Sequence, residues 1–221
     1  MRILIIGEEQ NFEEFRAKFG SDHEYCLVSA HRDAEKFLEA NDLTFDFIID
    51  EAPDQFEIYI KKNVTVFLNT CKLSISELAH LSKNDIKCTL FGFNGLPTFL
   101  NRNIFEVSLR SKSDEPLLKT TCDQLKTEFL VVEDRVGLVT PRVISMIINE
   151  AFYAVQEGTA TREDIDLAMK LGTNYPYGPF EWTGRIGIKH IYELLEALYE
   201  DTRDERYKIC PLLKKEYLKN G

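Results

Sequence analysis

Four histidines, five cysteines and one glycine set directly behind an apolar run are the residues of this 221-residue chain whose types could do chemistry. His23, His31, His80 and His190 stand at no metal-ligand spacing and near no cysteine pattern, so no metal centre is expected. Cys26, Cys71, Cys88, Cys122 and Cys210 form no CxxC pair, and their odd number fits reduced thiols in the cytoplasm. Gly7 ends the run RILII, where a pyrophosphate-binding turn would read G-x-G-x-x-G so that backbone N–H groups can reach the phosphates. The stretch Gly7-Glu8-Glu9-Gln10-Asn11-Phe12 keeps only the first glycine. A carboxylate at Glu9 would repel a pyrophosphate by ~4 kcal/mol at ~4 Å and intermediate dielectric. Phe12 fills the position where a third glycine lets a helix pack on its strand. After the next apolar run, VSAHRD offers Ser29 and Ala30 where a carboxylate would hold ribose hydroxyls, and Asp33 reads as the start of a helix. Lys61 and Lys62 read as a solvated face.

These residues need a scaffold, and the first 135 residues describe one. The runs RILIIG, EYCLVS, FDFIID, VTVFLN, KCTLFGF, IFEVSLR and FLVVED are β-rich, and most are near-continuously apolar, as strands covered on both faces must be. Helix-start signals lie between them: Asn11 with Glu14, Ser74 with Glu77, and Ser113 or Asp114 ahead of Pro116. The expected fold class is α/β, a reduced Rossmann-like domain over 1–135 with a largely parallel sheet. From 136 to 221 the period becomes helical and an all-helical domain is expected. Val143, Met146, Ile147, Ala151, Ala154 and Val155 define one apolar face that Gly158 can close; Thr161 and Asp164 open a second helix that Gly172 can end. Ile188, Ile191, Leu194, Leu195 and Leu198 give a third, with Glu193, Glu196 and Glu200 on its wet side.

Composition narrows the partners. Hydrophobic residues make up 44% and charged residues 29%, no apolar run spans a bilayer, and the formal net charge is −10. Such a charge repels phosphate backbones and anionic lipid, so neither nucleic acid nor membrane is expected as a partner.

The segment NEAFYAVQEGTATREDIDLAMKLGTNYPYGPFEW resembles the C-terminal domain of the 3-hydroxyacyl-CoA dehydrogenase family, and IGIKHIYELLEALYEDTRDERYKICPLL resembles the second helical repeat of its longer bacterial members. Upstream, VTVFLNTCKLSISELA, LFGFNGLP with IFEV, and DRVGLVTPR are similar to the family's strand-and-turn segments. The resemblance implies NAD as cofactor, an acyl-CoA substrate and a homodimer made through the helical domain. Its aromatic segment NYPYGPFEW reads as a loop locked against helices by Tyr175, Tyr177, Phe180 and Trp182.

The family's reaction uses a His as general base and a Glu that orients it. On this resemblance Phe91 stands at the His, and phenylalanine accepts no proton, while Glu106 keeps the carboxylate. Cys71 replaces a Ser and Pro141 an active-site Asn, each with weaker or no hydrogen-bonding capacity. Gly7 and Asn69 are the positions left for cofactor binding. The resemblance therefore implies a divergent relative with weak or lost catalysis. Two alternatives stay open: an active dehydrogenase with a relocated base, His80 being nearest in sequence, or a non-catalytic subunit that binds acyl-CoA or pairs with a full-length dehydrogenase.

Overall fold

The computed structural model describes residues 1–82 and 84–220. Two compact units form, Met1–Leu138 and Val139–Gly221.

The first unit is a seven-stranded sheet in the order β2-β1-β3-β4-β5-β6-β7. Its strands are β1 (Arg2–Ile6), β2 (Glu24–Val28), β3 (Leu43–Asp46), β4 (Thr65–Asn69), β5 (Thr89–Phe93), β6 (Ile104–Leu109) and β7 (Glu128–Val132). All neighbours are parallel except β5 and β6. The seven apolar runs are thus seven strands, with one correction: FDFIID is strand only as far as Asp46, and Phe47–Asp50 turn away. Asp46 causes the turn, because its buried carboxylate accepts from Ile48 N at 3.0 Å.

Both sheet faces are covered. Phe15 and Phe19 of helix α1 (Glu9–Phe19) join Phe45, Phe67, Phe91, Phe93 and Phe105 in an aromatic core on one face. Phe45 stacks on Phe67 with ring centroids 4.4 Å apart. On the other face Leu4, Ile6, Val66, Leu68 and Leu90 meet Leu38, Tyr59 and Leu78. Around β3, the segment between β2 and β4 holds only short helical pieces: α2 (His31–Ala34), 3-10 stretches Glu35–Ala40 and Pro53–Phe56, and α3 (Glu57–Ile60). Helix α4 (Ile75–Leu81) starts at Ser74 with the expected capping box, Ser74 Oγ accepting from Glu77 N at 3.0 Å. Pro116 sits in the first turn of α5 (Glu115–Gln124), as expected.

The start of α1 departs from the expectation. The helix begins at Glu9, and Asn11 is its third residue, its Oδ1 accepting from Glu8 N at 2.9 Å. Glu14 is no capping partner. Its carboxylate accepts from Thr98 N (3.0 Å), Leu100 N (3.1 Å) and Asn101 N (3.4 Å), tying the β5–β6 loop to the helix.

The second unit holds α6 (Thr140–Gln156), α7 (Arg162–Thr173), α8 (Pro179–Ile186), α9 (Ile188–Thr202) and α10 (Pro211–Asn220), with no strand among the described residues. Gly158 follows α6 at φ 72°, the left-handed closure expected there. Two expectations fail. Gly172 lies inside α7, and Asn174 closes it instead in the left-handed region. The apolar face of α6 read from the sequence is only partly the inner one: Ala151 is buried, Met146, Ile147, Ala154 and Val155 are half-buried and Val143 is 51% exposed, while Ile144, Ile148 and Phe152 make the rest of the buried face. Both faces are apolar, so periodicity alone could not choose. The buried face even carries Asn149, which is fully used, its Nδ2 donating to Lys208 O and its Oδ1 accepting from Cys210 N, both at 2.9 Å.

No helix among the described residues is long and apolar enough to cross a membrane.

Candidate functional site

In an open parallel sheet, ligands bind beyond the carboxyl ends of the strands where the strand order reverses. Here that point lies between β1 and β3, and the chain itself fills it. Phe47 N donates to Ile6 O at 2.8 Å, so the backbone after β3 continues alongside β1. A Cβ on Gly7 would come 2.8 Å from Asn11 Oδ1 and 3.1 Å from Phe47 Cβ. Gly7 is therefore required by the packing of the chain's own side chains. The N-terminus of α1 directs Glu8 N to Asn11 and carries Glu9 in its first turn, a negative group where an anion would need positive potential.

The end of β2 is also turned inward. His31 is 4% exposed, and its Nε2 lies 2.8 Å from Asp46 Oδ2, which also accepts from Tyr59 Oη at 2.8 Å. Burial and the Asp46 charge hold the Tyr59 hydroxyl well above the usual tyrosine range. No carboxylate from the end of β2 points outward to hold a ribose; the first hydrogen-bonding ring after Ala30 is committed to the core.

Asn69 ends β4 and joins three strand ends. Its Nδ2 donates to Phe47 O (3.0 Å) and Asp50 Oδ2 (3.1 Å), and its Oδ1 accepts from Gly95 N (3.0 Å). Two residues on, buried Cys71 donates from Sγ to Asn94 Oδ1 at 3.2 Å, and its carbonyl accepts from Gly137 N at 2.8 Å. Burial, with the Asp50 charge behind it, pushes the Cys71 thiol up, so it stays a protonated donor. The structure thus brings Asn69 and Cys71 together with Asn94, which lies in LFGFNGLP and belongs to no site motif of its own. The strand-end position of Asn94 was the signal that could have found it.

Phe91 and Glu106 are not brought together. Phe91 is fully buried in the aromatic core, 4.9 Å from Phe67. Residues 91, 93, 105 and 107 share that face, and the antiparallel register sets Phe93 against Val107 and Gly92 against Ser108. Side chains alternate along a strand, so Glu106 points to the opposite face. A side chain at 91 and the Glu106 carboxylate cannot hydrogen-bond through the sheet. On Glu106's face, the place beside Gly92 is filled by Thr70 and Ser108, whose oxygens would lie 2.4 and 2.3 Å from an added Cβ. His80, the alternative base, is exposed in the last turn of α4. Pro141 lies buried in the first turn of α6, in the second unit.

The second unit's aromatic segment is half loop and half helix. Pro179 starts α8, correcting the loop expectation for its last residues. Asp166 of α7 accepts from Phe180 N (2.8 Å) and Glu181 N (3.1 Å), and Glu181 pairs with Lys170 at 2.5 Å. Gly178 is needed there, since a Cβ would lie 2.3 Å from Asp166 Cγ. Tyr175 and Tyr177 pack on Trp182 at 5.4 and 6.4 Å, and Phe180 on Phe152 at 5.0 Å.

A Rossmann-like sheet unit joined to a helical unit with this wiring defines a dehydrogenase-type fold. Residues 137–221 match the family model for the C-terminal domain of 3-hydroxyacyl-CoA dehydrogenase. The chain belongs to the 3-hydroxyacyl-CoA dehydrogenase family. It is 46% identical over 89 residues, 40% of the chain, to 3-hydroxyadipyl-CoA dehydrogenase of Escherichia coli, covering 19% of that protein. Over 69% of the chain it is 32% identical to a probable 3-hydroxybutyryl-CoA dehydrogenase of Bacillus subtilis, covering 53% of it. The chain thus spans about a fifth and about half of these relatives. In fold, M. tuberculosis FadB2 superposes with a TM-score of 0.76 at 16% identity, covering 99% of this chain and 93% of that one.

Proposed function

We propose that this chain is a divergent member of its family that does not carry out NAD-linked oxidation of 3-hydroxyacyl-CoA, and that it acts as a homodimer through its helical unit. One observation carries the reading: the position that resembles the catalytic histidine is a buried phenylalanine on the sheet face opposite Glu106. The nucleotide end supports it. Asn11 and Phe47 stand where a dinucleotide would need empty space, Glu9 where it would need positive potential, and His31 turns away from where a ribose would need a carboxylate. These residues do not fit NAD.

The retained helical unit supplies the material for self-association. Val143 on α6 and Leu167 and Leu171 on α7 are 51, 54 and 78% exposed, and no residue of α7 is buried. An apolar helix face in water is stabilised by covering it with its own copy. NADH-linked reduction of acetoacetyl-CoA by the purified chain tests the catalytic half of the proposal. No NADH consumption above the protein-free blank is expected; robust turnover would overturn it.

A further inference from the structure

The loop that follows β5, residues 94–103, is held at both ends by other parts of the first unit. At its start, Gly95 N donates to Asn69 Oδ1 at 3.0 Å, and Asn94 Oδ1 accepts from Cys71 Sγ at 3.2 Å. At its far end, one face of α1 grips the backbone. Glu14 accepts from the N–H groups of Thr98, Leu100 and Asn101. Lys18, one turn on, donates to the carbonyls of Arg102 and Asn103. The two side chains are four residues apart, so one helix face meets the amides with a carboxylate and the carbonyls with an ammonium. Between these holds Thr98 sits at φ 74°, a left-handed conformation that a β-branched residue adopts only under constraint. Beneath the loop, Asn69 and Cys71 are 3 and 0% exposed. They lie at the carboxyl end of β4, a parallel neighbour of β5, on the side of an open sheet where ligands bind.

We propose that residues 94–103 are a strained lid, latched to α1 by Glu14 and Lys18, and that its release uncovers Asn69 and Cys71. In the closed state the Gly95 amide and the Asn94 side-chain oxygen fill the hydrogen-bonding positions of that pair, so the contact is self-inhibitory. Opening relieves the strain at Thr98, and the latch opposes it. Phe99 and Leu100, 6 and 2% exposed, add apolar burial to the closed side and keep the open form a minority. The device needs no NAD and stands whether or not the loss of dehydrogenase chemistry does.

Arg102 is exposed inside the lid and gives the test. A protease needs an extended segment around its cut, so trypsin cleaves Arg102–Asn103 in proportion to the open population. Glu14→Gln is expected to raise that cleavage in the full chain by ~10-fold, the factor that one lost charge-assisted hydrogen bond gives. Lys18→Met, which keeps the apolar stem, should raise it as well. Thr98→Gly removes the strain without touching the latch and should slow the cleavage severalfold. Iodoacetamide labelling of Cys71 should quicken in step with the cleavage in Glu14→Gln, while Cys122 and Cys210 stay slow. Cleavage unchanged by both latch variants overturns the proposal. So does cleavage that rises while Cys71 stays unreactive, since the loop would then move without uncovering anything. Equal quickening at Cys122 and Cys210 overturns it in favour of general loosening, and faster cleavage in Thr98→Gly overturns the strain.

Discussion

The proposed loss of catalysis rests on Phe91, buried in the aromatic core. Replacing it by histidine would restore the residue type that the resemblance implies there but would put an imidazole in that core, away from Glu106. Phe91→His is expected to cost about 3–5 kcal/mol through lost packing and a buried ring without partners. Thermal unfolding measures the loss, and a dehydrogenase assay should show no gain; any restored turnover would mean that the ring reaches the other face. The residue type was legible in the sequence, but its direction was not. KCTLFGF is apolar on both faces, and a strand without alternation does not show which way each side chain points. The thiols give a second residue-scale outcome. Burial raises Cys88 to about 11 and Cys122 to about 12. An unfolded thiol titrates near pH ~8.5. Above that pH the unfolded chain releases protons that the folded chain keeps, so stability is full below ~8.5 and falls as pH rises toward the folded values. Urea unfolding at pH 7.5 and 10 should show the lower midpoint at pH 10.

At the scale of elements, caps and strand ends hold the first unit together. Asp134 accepts from Ile75 N and Ser76 N, both at 2.9 Å, and Ser74 takes Glu77 N, so three of the orphan amides of α4 are satisfied by side chains. Asp134→Ala should lower stability by about 1 kcal/mol, as losing a helix cap does, measured by denaturant unfolding. Asn69→Ala should cost more, about 1–3 kcal/mol for each buried group left unpaired, because Phe47 O and Gly95 N lose their partner. Hydrogen exchange at Gly95 should rise in the same variant. The capping box at Ser74 was readable because its signal is four residues long and local. The cap of α4 by Asp134 was not, since its partners lie 58 and 59 residues apart in sequence. The false signal at Asn11 and Glu14 has the same cause: Glu14 is spent on a loop more than eighty residues away. Gly172 does not end its helix because Asn174, two residues further on, accepts the left-handed backbone.

For the whole molecule, the sequence showed a layered sheet followed by helices because the change from strand runs to helical period after Asp134 is long and unambiguous. It did not show that Val143 on α6 is exposed, and the proposed self-association rests on that residue together with Leu167 and Leu171 of α7. Exposed Val143, Leu167 and Leu171 predict a homodimer, and Leu171→Glu should weaken it without unfolding α7, whose residues are unburied. Sedimentation at matched concentrations checks this. The proposed loss of the cofactor rests on Asn11, Phe47 and Glu9, which stand around Gly7 at the carboxyl end of β1. Titrating the purified chain into NADH and following the cofactor's fluorescence tests it most directly. No saturable change is expected up to millimolar protein sites, whereas saturation in the micromolar range would show that the cleft opens and would contradict the account.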